Sequence, residues 1–384
     1  MSLEFIGSSK PTIGVEIELQ ILDSESLDLT PKSEPLLAVC QSQGIKRIKT
    51  EIHQSMLEVD SEISSTVKEC RAFLKSRITQ LNRLANELGL QLAIAGTHPF
   101  QRWADRRISK TDRFQKLYSK YQWLIRRMNV YGLHVHIGMA SGSQAIAASN
   151  SMIRYLPCLL ALTANSPFWQ GIDTGMQSSR INIMESFPHA GVPKIFKSWD
   201  DFEYYYLTLK RAGAINSLKD LYWYLRPNLE FGTIEFRICD AASTLEETMA
   251  VVALIQCLVV LTTENLENNS NQCDWTEEQQ WLVTENQWIA ARDGLNGILI
   301  SSGNEKRQKI SEYILGLVQK LSPIAMRLNC FEELQFIHQM VAKGTGADRQ
   351  REVFKETRSL KEVVLSSAQE FKETFTDDFF SKAI

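Results

Sequence analysis

The sequence predicts an α+β fold, a mostly antiparallel sheet with helices packed on one face and an open cavity on the other. Three observations carry this. The strand-like segments are apolar on one side and polar on the other, whereas strands buried in a parallel sheet are apolar on both. Helix-like segments separate those strands, and the last third of the chain is almost wholly helical in pattern. The glycine-rich phosphate signatures of doubly wound sheets are absent: no G-x-G-x-x-G follows a strand, and Gly7 to Thr12 matches a phosphate loop only loosely.

Thr12 to Leu22 is the clearest strand, with Ile13, Val15, Ile17, Leu19 and Ile21 on one face at period two. Lys46–His53, Gln91–Thr97, Leu133–Ala140, Tyr222–Arg226 and Thr233–Cys239 also read as strands. Val67, Cys70, Leu74, Ile78, Leu81, Leu84 and Leu88 recur at spacings of three and four, which is a helical stripe. Further helices are expected at Thr111–Met128, Ser143–Ala164, Asp200–Ala212, Leu245–Leu266, Trp275–Arg292, Lys306–Arg327 and Phe331–Lys343, and in the tail after Gly346. Glu264 to Asp274, acidic and rich in Asn, reads as an exposed loop. Trp199, Trp275, Trp281 and Trp288 read as packing anchors.

Composition narrows the functional classes. The 384 residues are 44% hydrophobic and 23% charged, ordinary for a globular protein that buries its own core. A net charge of -3 argues against nucleic-acid binding by bulk electrostatics. The longest apolar stretch, Val251 to Thr262, is interrupted by Gln256; it is too short to span a bilayer and reads as a buried helix. No secretory signal is visible in Met1 to Lys10. The seven cysteines form no C-x-x-C pair, which fits a reducing cytoplasm. The expected partners are therefore small molecules rather than nucleic acid or membrane, and the helical last third is where an oligomer interface would sit.

The polar strand faces carry the chemistry. Glu16 and Glu18 lie two apart, so both point away from the apolar face. His134 and His136 share a face, as do Glu235 and Arg237, while Glu51 and Glu58 flank His53. Carboxylates gathered on one surface repel and desolvate one another, and stay ionised only with cations among them. Oxygen ligands with one imidazole suit Mg²⁺ or Mn²⁺ better than Zn²⁺. Arg180, Lys219, Arg226 and Arg237 would then hold phosphate or carboxylate groups. Taken singly, a glutamate on a strand face reads as solvated and His134 as structural. The stretch Arg102 to Arg113 reads equally as a solvated helix start and as a lid near phosphates.

Seven strings, in order, carry a resemblance. They are Ile13-Gly-Val-Glu16-Ile-Glu18-Leu, Glu51-Ile-His-Gln-Ser-Met-Leu-Glu58 and Ala95-Gly-Thr97-His98-Pro99-Phe100, then Tyr131-Gly-Leu-His134-Val-His136-Ile-Gly138 and Ser178-Ser-Arg180. Ser217-Leu-Lys219-Asp220-Leu-Tyr-Trp-Tyr-Leu-Arg226-Pro227 and Gly232-Thr-Ile-Glu235-Phe-Arg237 complete the set. Together they resemble the glutamate–cysteine ligase type 2 family of carboxylate–amine ligases, over nearly the whole chain. That resemblance implies one domain over residues 1–384, with a sheet-bearing core at 12–240 and a mainly helical part at 241–384. It also implies a glutamine-synthetase-like fold: a curved sheet forming a funnel, ATP at one end, amino acids at the other and Mg²⁺ at the waist. Glu16, Glu18, Glu51, Glu58, His134 and Glu235 are its implied metal ligands; Glu51 matches a position that is Asp in distant relatives. His136, at a position often not His, is implied beside the ligands, as a substrate contact. Arg237 and Arg180 are implied in catalysis, with Arg237, Arg226 and Lys219 on the nucleotide and Thr97 and Arg180 on the substrate. The implied reaction joins the glutamate γ-carboxylate to cysteine or a related amine through an acyl phosphate, an activity that belongs to glutathione biosynthesis. Two alternatives stand beside it: a metal-dependent hydrolase using the His134/His136 pair, and a non-catalytic nucleotide-binding protein of ligase-like fold.

Overall fold

The computed structural model describes residues 3–268, 275–301 and 307–375. Its main sheet has seven strands, numbered here in chain order: β1 (Ile13–Asp23), β2 (Ile48–Thr50), β3 (Met56–Asp60), β4 (Leu90–Ala93), β5 (Leu133–Gly138), β6 (Leu225–Asn228) and β7 (Thr233–Phe236). The spatial order is β2-β3-β1-β5-β7-β6, and β4 pairs with the far end of β1. Every pairing is antiparallel. β1 is the pivot. Its first half pairs with β5 and its last residues with β4, so the sheet forks between those two neighbours and stays open.

The period-two pattern holds. Ile13, Val15, Ile17, Leu19 and Ile21 are buried, as are Leu57, Val59, Val135, Ile137, Ile234 and Phe236 on the neighbouring strands. Helices Val67–Glu87, Gly142–Met152 and Leu245–Asn268 pack against this sheet. The buried apolar cluster they share runs from Ile13 to Phe371. Thr66 starts the first helix with a reciprocal cap to Glu69. Gln256, the interruption in the apolar stretch, is buried and donates to the Pro11 carbonyl at 2.9 Å, tying the long helix to the start of β1. That helix is longer than the apolar stretch alone suggested, and together with Gly142–Thr163 it has the length and hydropathy to cross a bilayer. Its apolar residues are instead buried inside the protein.

The structure corrects several expectations. Met56–Asp60 is a strand, where only Glu58 and, ahead of it, Glu51 had stood out on either side of His53, and the Lys46–His53 strand shrinks to Ile48–Thr50. The strand expected at Tyr222 begins at Leu225. Thr111–Met128 splits at Gln122, whose φ is +49°. Ser143–Ala164 breaks through a 3-10 turn at Ile153–Tyr155, because Pro157 cannot donate back to the turn before it. Phe331–Lys343 divides at Phe336. Leu88 falls past the end of its helix and is 43% exposed. Glu264 to Asn268 continue a helix rather than a loop, while 269–274, with Cys273, lie outside the described residues, as does Lys306. Trp199 packs between Phe5 and Phe202, and Trp275 donates to the Asn150 carbonyl. Trp281 and Trp288 are no anchors: they stand 66% and 44% exposed on the outer side of helix Glu277–Asp293.

Candidate functional site

Register turns the separate polar patterns into one surface. Glu16 lies opposite His134 on β5 and Asp60 on β3, and Glu18 lies opposite Glu58. His136 lies opposite Glu235, which lies opposite Arg226. Of these, Glu16, Glu18, Glu58, His134, Arg226 and Glu235 line a cavity of about 400 Å³, closed on its far side by Arg113, Phe114 and Leu117 of helix Asp112–Tyr121 and by Met128. Six strands, with the loops between them, therefore converge on one space.

Glu16 is its centre. Its carboxylate meets His134 Nδ1 at 3.0 Å and His136 Nε2 at 3.4 Å. Burial alone would lift its pKa, but the hydrogen bonds and charge of the two histidines hold it well below the carboxylate range. Burial and the Arg237 charge pull His134 down to about 4, so its ring is neutral near pH 7. In the tautomer that donates Nδ1–H to Glu16, Nε2 keeps a bare lone pair toward Glu18, 4.0 Å away. Burial lifts Glu18 and Glu58, and it lifts Glu51 to about 7 with help from the Glu18 charge. Lys49 is the counter-charge, bridging Glu58 at 3.4 Å and Asp60 more closely.

At the other end Arg226 grips Glu235 with two donors, at 3.0 and 3.2 Å, and spends its remaining terminal nitrogen on the carbonyls of Leu218 and Leu221. Arg237 also donates to Glu235, while its buried Nε has no partner among the described residues. Burial works against ionising Glu235, yet these two guanidinium charges hold its pKa low.

Two groups of donor atoms each lie within 4.8 Å of one another: Glu16, Glu58 and His134, and Glu16, His136 and Glu235. His136 Nε2 is buried, and its approach to Glu16 at 3.4 Å places it beside the carboxylate oxygens as a further donor for a shared cation. Carboxylate oxygens with imidazoles suit a hard divalent ion, so the donor set fits Mg²⁺ or Mn²⁺. The structure thus brings Glu16, Glu18, Glu51, Glu58, His134 and Glu235 together around one cavity, and brings His136 among the donors. Glu51 and Glu18 line the cavity outside both compact groups.

Arg180 lines the cavity, but its nitrogens hold the carbonyls of Arg237 and Ile238 at 3.2 Å and face Asp240 at 3.8 Å. It acts as a clamp beneath Arg237. Lys219 is exposed at the mouth, 3.9 Å from Glu230. Thr97 stands apart: its backbone bridges to Val130, its hydroxyl donates to the Phe168 carbonyl at 2.8 Å, and it does not line the cavity. Within the basic stretch, Arg106 is tied to Asp28 and Leu29, whereas Arg113 lines the cavity. The histidines a hydrolase site would add, His53, His98, His189 and His338, do not line it either. The six described cysteines are buried, and burial pushes the Cys70, Cys158 and Cys239 thiols up to about 12, far from nucleophilic. Sequence reasoning missed Asp60, Lys49 and Phe231. Asp60 was two residues from Glu58 on an unrecognised strand; Phe231, at a hairpin tip, carried no periodic signal.

Gly132 is a point of close approach. Its N–H donates to Glu18, and a Cβ there would sit 2.3 Å from Arg180 Nη2 and 3.2 Å from His134 Nε2. Gly132→Ala is expected to cost about 1–3 kcal/mol of stability and to weaken anion binding by displacing Arg180. Thermal unfolding and anion titration of the variant check this.

Comparison with known proteins adds the following. Residues 12–366 match the model of glutamate-cysteine ligase family 2. A protein of Gloeobacter violaceus, provisionally named glutamate–cysteine ligase 2, is 40% identical over 371 residues, which cover 95% of this chain and 98% of that one. A protein of Thermobifida fusca with the same provisional name is 36% identical over 376 residues, 97% and 94% of the two chains. Among solved structures, the glutamate–cysteine ligase of Francisella tularensis in complex with AMP superposes with a TM-score of 0.68 at 11% identity, over 97% of this chain and 90% of that one. The bifunctional glutathione synthetase of Pasteurella multocida gives 0.68 at 16% identity over 97% of this chain, which spans about half (53%) of that enzyme. At such identities the two structures speak for a shared fold.

Proposed function

The chain belongs to glutamate-cysteine ligase family 2 and is thereby a carboxylate–amine ligase that forms carbon–nitrogen bonds; we propose that it does so with ATP, through an acyl phosphate, joining the γ-carboxylate of glutamate to cysteine or a related amine. We take it to work in the cytoplasm as one catalytic domain. The observation that supports this best is the juxtaposition on one sheet face of a carboxylate–imidazole cluster around Glu16 and an arginine pair on Glu235.

The donor carboxylate attacks the γ-phosphorus of ATP, giving the acyl phosphate and ADP; the amine then displaces phosphate. Glu16, Glu58, His134, His136 and Glu235 would hold Mg²⁺, which supplies neutralising charge for the phosphates. Arg226 fixes Glu235, leaving Arg237 to present its remaining donors to the transferring phosphoryl group. Arg180 fixes the backbone that carries Arg237. Glu51 lines the cavity beside its apolar wall, outside both compact donor groups, and is the carboxylate placed to accept the proton that the ammonium group must lose. Glutamate labelled with ¹⁸O in its γ-carboxylate tests the route: one label must appear in inorganic phosphate, and its absence excludes the acyl phosphate.

The raised carboxyls also fix a pH dependence. Without cation, Glu18, Glu51 and Glu58 keep protons in the folded chain at pH values where the unfolded chain has lost them. Folded-state stability from these groups is therefore full below the ordinary carboxylate pKa of about 4.3 and falls as pH rises toward 7. A divalent cation displaces those protons. Mg²⁺ is expected to raise the melting temperature more at pH 8 than at pH 5.5, with proton release on binding measurable by calorimetry in buffers of different ionisation enthalpy.

A further inference from the structure

Phe231 stands at the tip of the hairpin joining β6 to β7, with its ring 58% exposed. An exposed phenylalanine needs no explanation by itself. This one is held in place. Its N–H donates to Asn228 Oδ1 at 3.2 Å. The next residue, Gly232, has φ +60°, and a Cβ there would lie 1.6 Å from the Ile6 carbonyl oxygen, so only glycine passes. Met139 N–H binds the Gly232 carbonyl at 2.9 Å, and Ile6 N–H reaches the Leu229 carbonyl at 3.4 Å. The Phe231 ring lines the cavity and meets the His136 ring edge to face, 5.8 Å between centroids. A rigid, water-exposed aromatic ring at the charged mouth of a cavity offers a face on which a flat ring can stack.

Order along the sheet agrees. Phe231 precedes β7 and Arg237 follows it, so the ring stands on the hairpin side of the Glu235–Arg237 pair to which the reaction assigns the transferring phosphoryl group.

Resting on the ligase reading above, we propose that Phe231 is the stacking platform for the nucleobase of the triphosphate. The nucleotide then enters at the hairpin end, and the amino-acid substrates at the end lined by Phe114, Leu117 and Met128.

Calorimetric titration of Mg²⁺–ATP and, separately, of Mg²⁺–tripolyphosphate into the full chain, Phe231→Ala and Phe231→Tyr tests this. Phe231→Ala should weaken ATP between about fivefold and a hundredfold, leave tripolyphosphate unchanged, and be rescued by Phe231→Tyr. Undiminished ATP binding by Phe231→Ala overturns the assignment alone, as does an equal loss for tripolyphosphate, which marks a merely structural residue. Failure of the unaltered protein to bind Mg²⁺–ATP overturns the ligase reading, and this assignment falls with it.

Discussion

Glu16→Gln is expected to abolish Mg²⁺-dependent nucleotide binding and to lower kcat/KM by at least about a hundredfold, since loss even of outer partners of a metal site costs 10–100-fold. Glu16 is the one residue common to both donor groups and the one both histidines address. Glutamine keeps its shape and one acceptor oxygen, so what is lost is charge. The Glu16 charge is also part of what lifts Glu58. The variant should therefore bring the Glu58 pKa down, but it also loses the stability that the depressed Glu16 pKa contributes at neutral pH, so the cation-free variant should melt somewhat below the cation-free parent there. Loss of the Mg²⁺-induced rise in melting temperature, with cooperative unfolding retained, is the signature. A variant that binds Mg²⁺–ATP like the parent removes Glu16 from the site.

The second large effect separates two arginines that the resemblance set together on the nucleotide. Arg237→Lys is expected to lower kcat by about 10²–10³ with the fold intact, the cost of one oriented donor at a transferring charge. Among the described residues, the Arg237 side chain has its hydrogen bond to Glu235, and its Nε has no partner. Arg226 differs: its buried guanidinium joins the buried Glu235 to the carbonyls of Leu218 and Leu221. A lysine cannot reproduce that fork, so Arg226→Lys should lower the melting temperature as well as the rate. Parallel melting curves and single-turnover rates distinguish the cases. Equal melting losses in both variants would deny the division of labour.

Period two made the sheet legible. In β1, β5 and β7 a clean apolar face forces Glu16, Glu18, His134, His136, Glu235 and Arg237 to the other side, and register then brings them together. The nature of the strands, one face covered and one open, also told antiparallel from parallel. Less was readable where tertiary context decides. Met56–Asp60 alternates only over the four residues Leu57-Glu58-Val59-Asp60, too short a run to stand out as a strand, and Asp60 went unseen. Whether an arginine faces ligand or backbone depends on carbonyls far away in sequence: Arg180 is spent on residues 237 and 238, and nothing local to Ser178-Ser-Arg180 says so. Thr97 failed to reach the cavity for the same reason, its hydroxyl taken by Phe168. Helix breaks at Pro157 were readable in principle, whereas the break at Gln122 had no local signal.

The central claim is that this sheet face couples ATP cleavage to amide formation. Inorganic phosphate release from Mg²⁺–ATP, measured against amino acids singly and in pairs, tests it most directly. The account predicts release that requires glutamate together with one amine, with the matching γ-glutamyl product in equal amount. Release with no pair, or amide-bond cleavage by the protein without ATP, would contradict it.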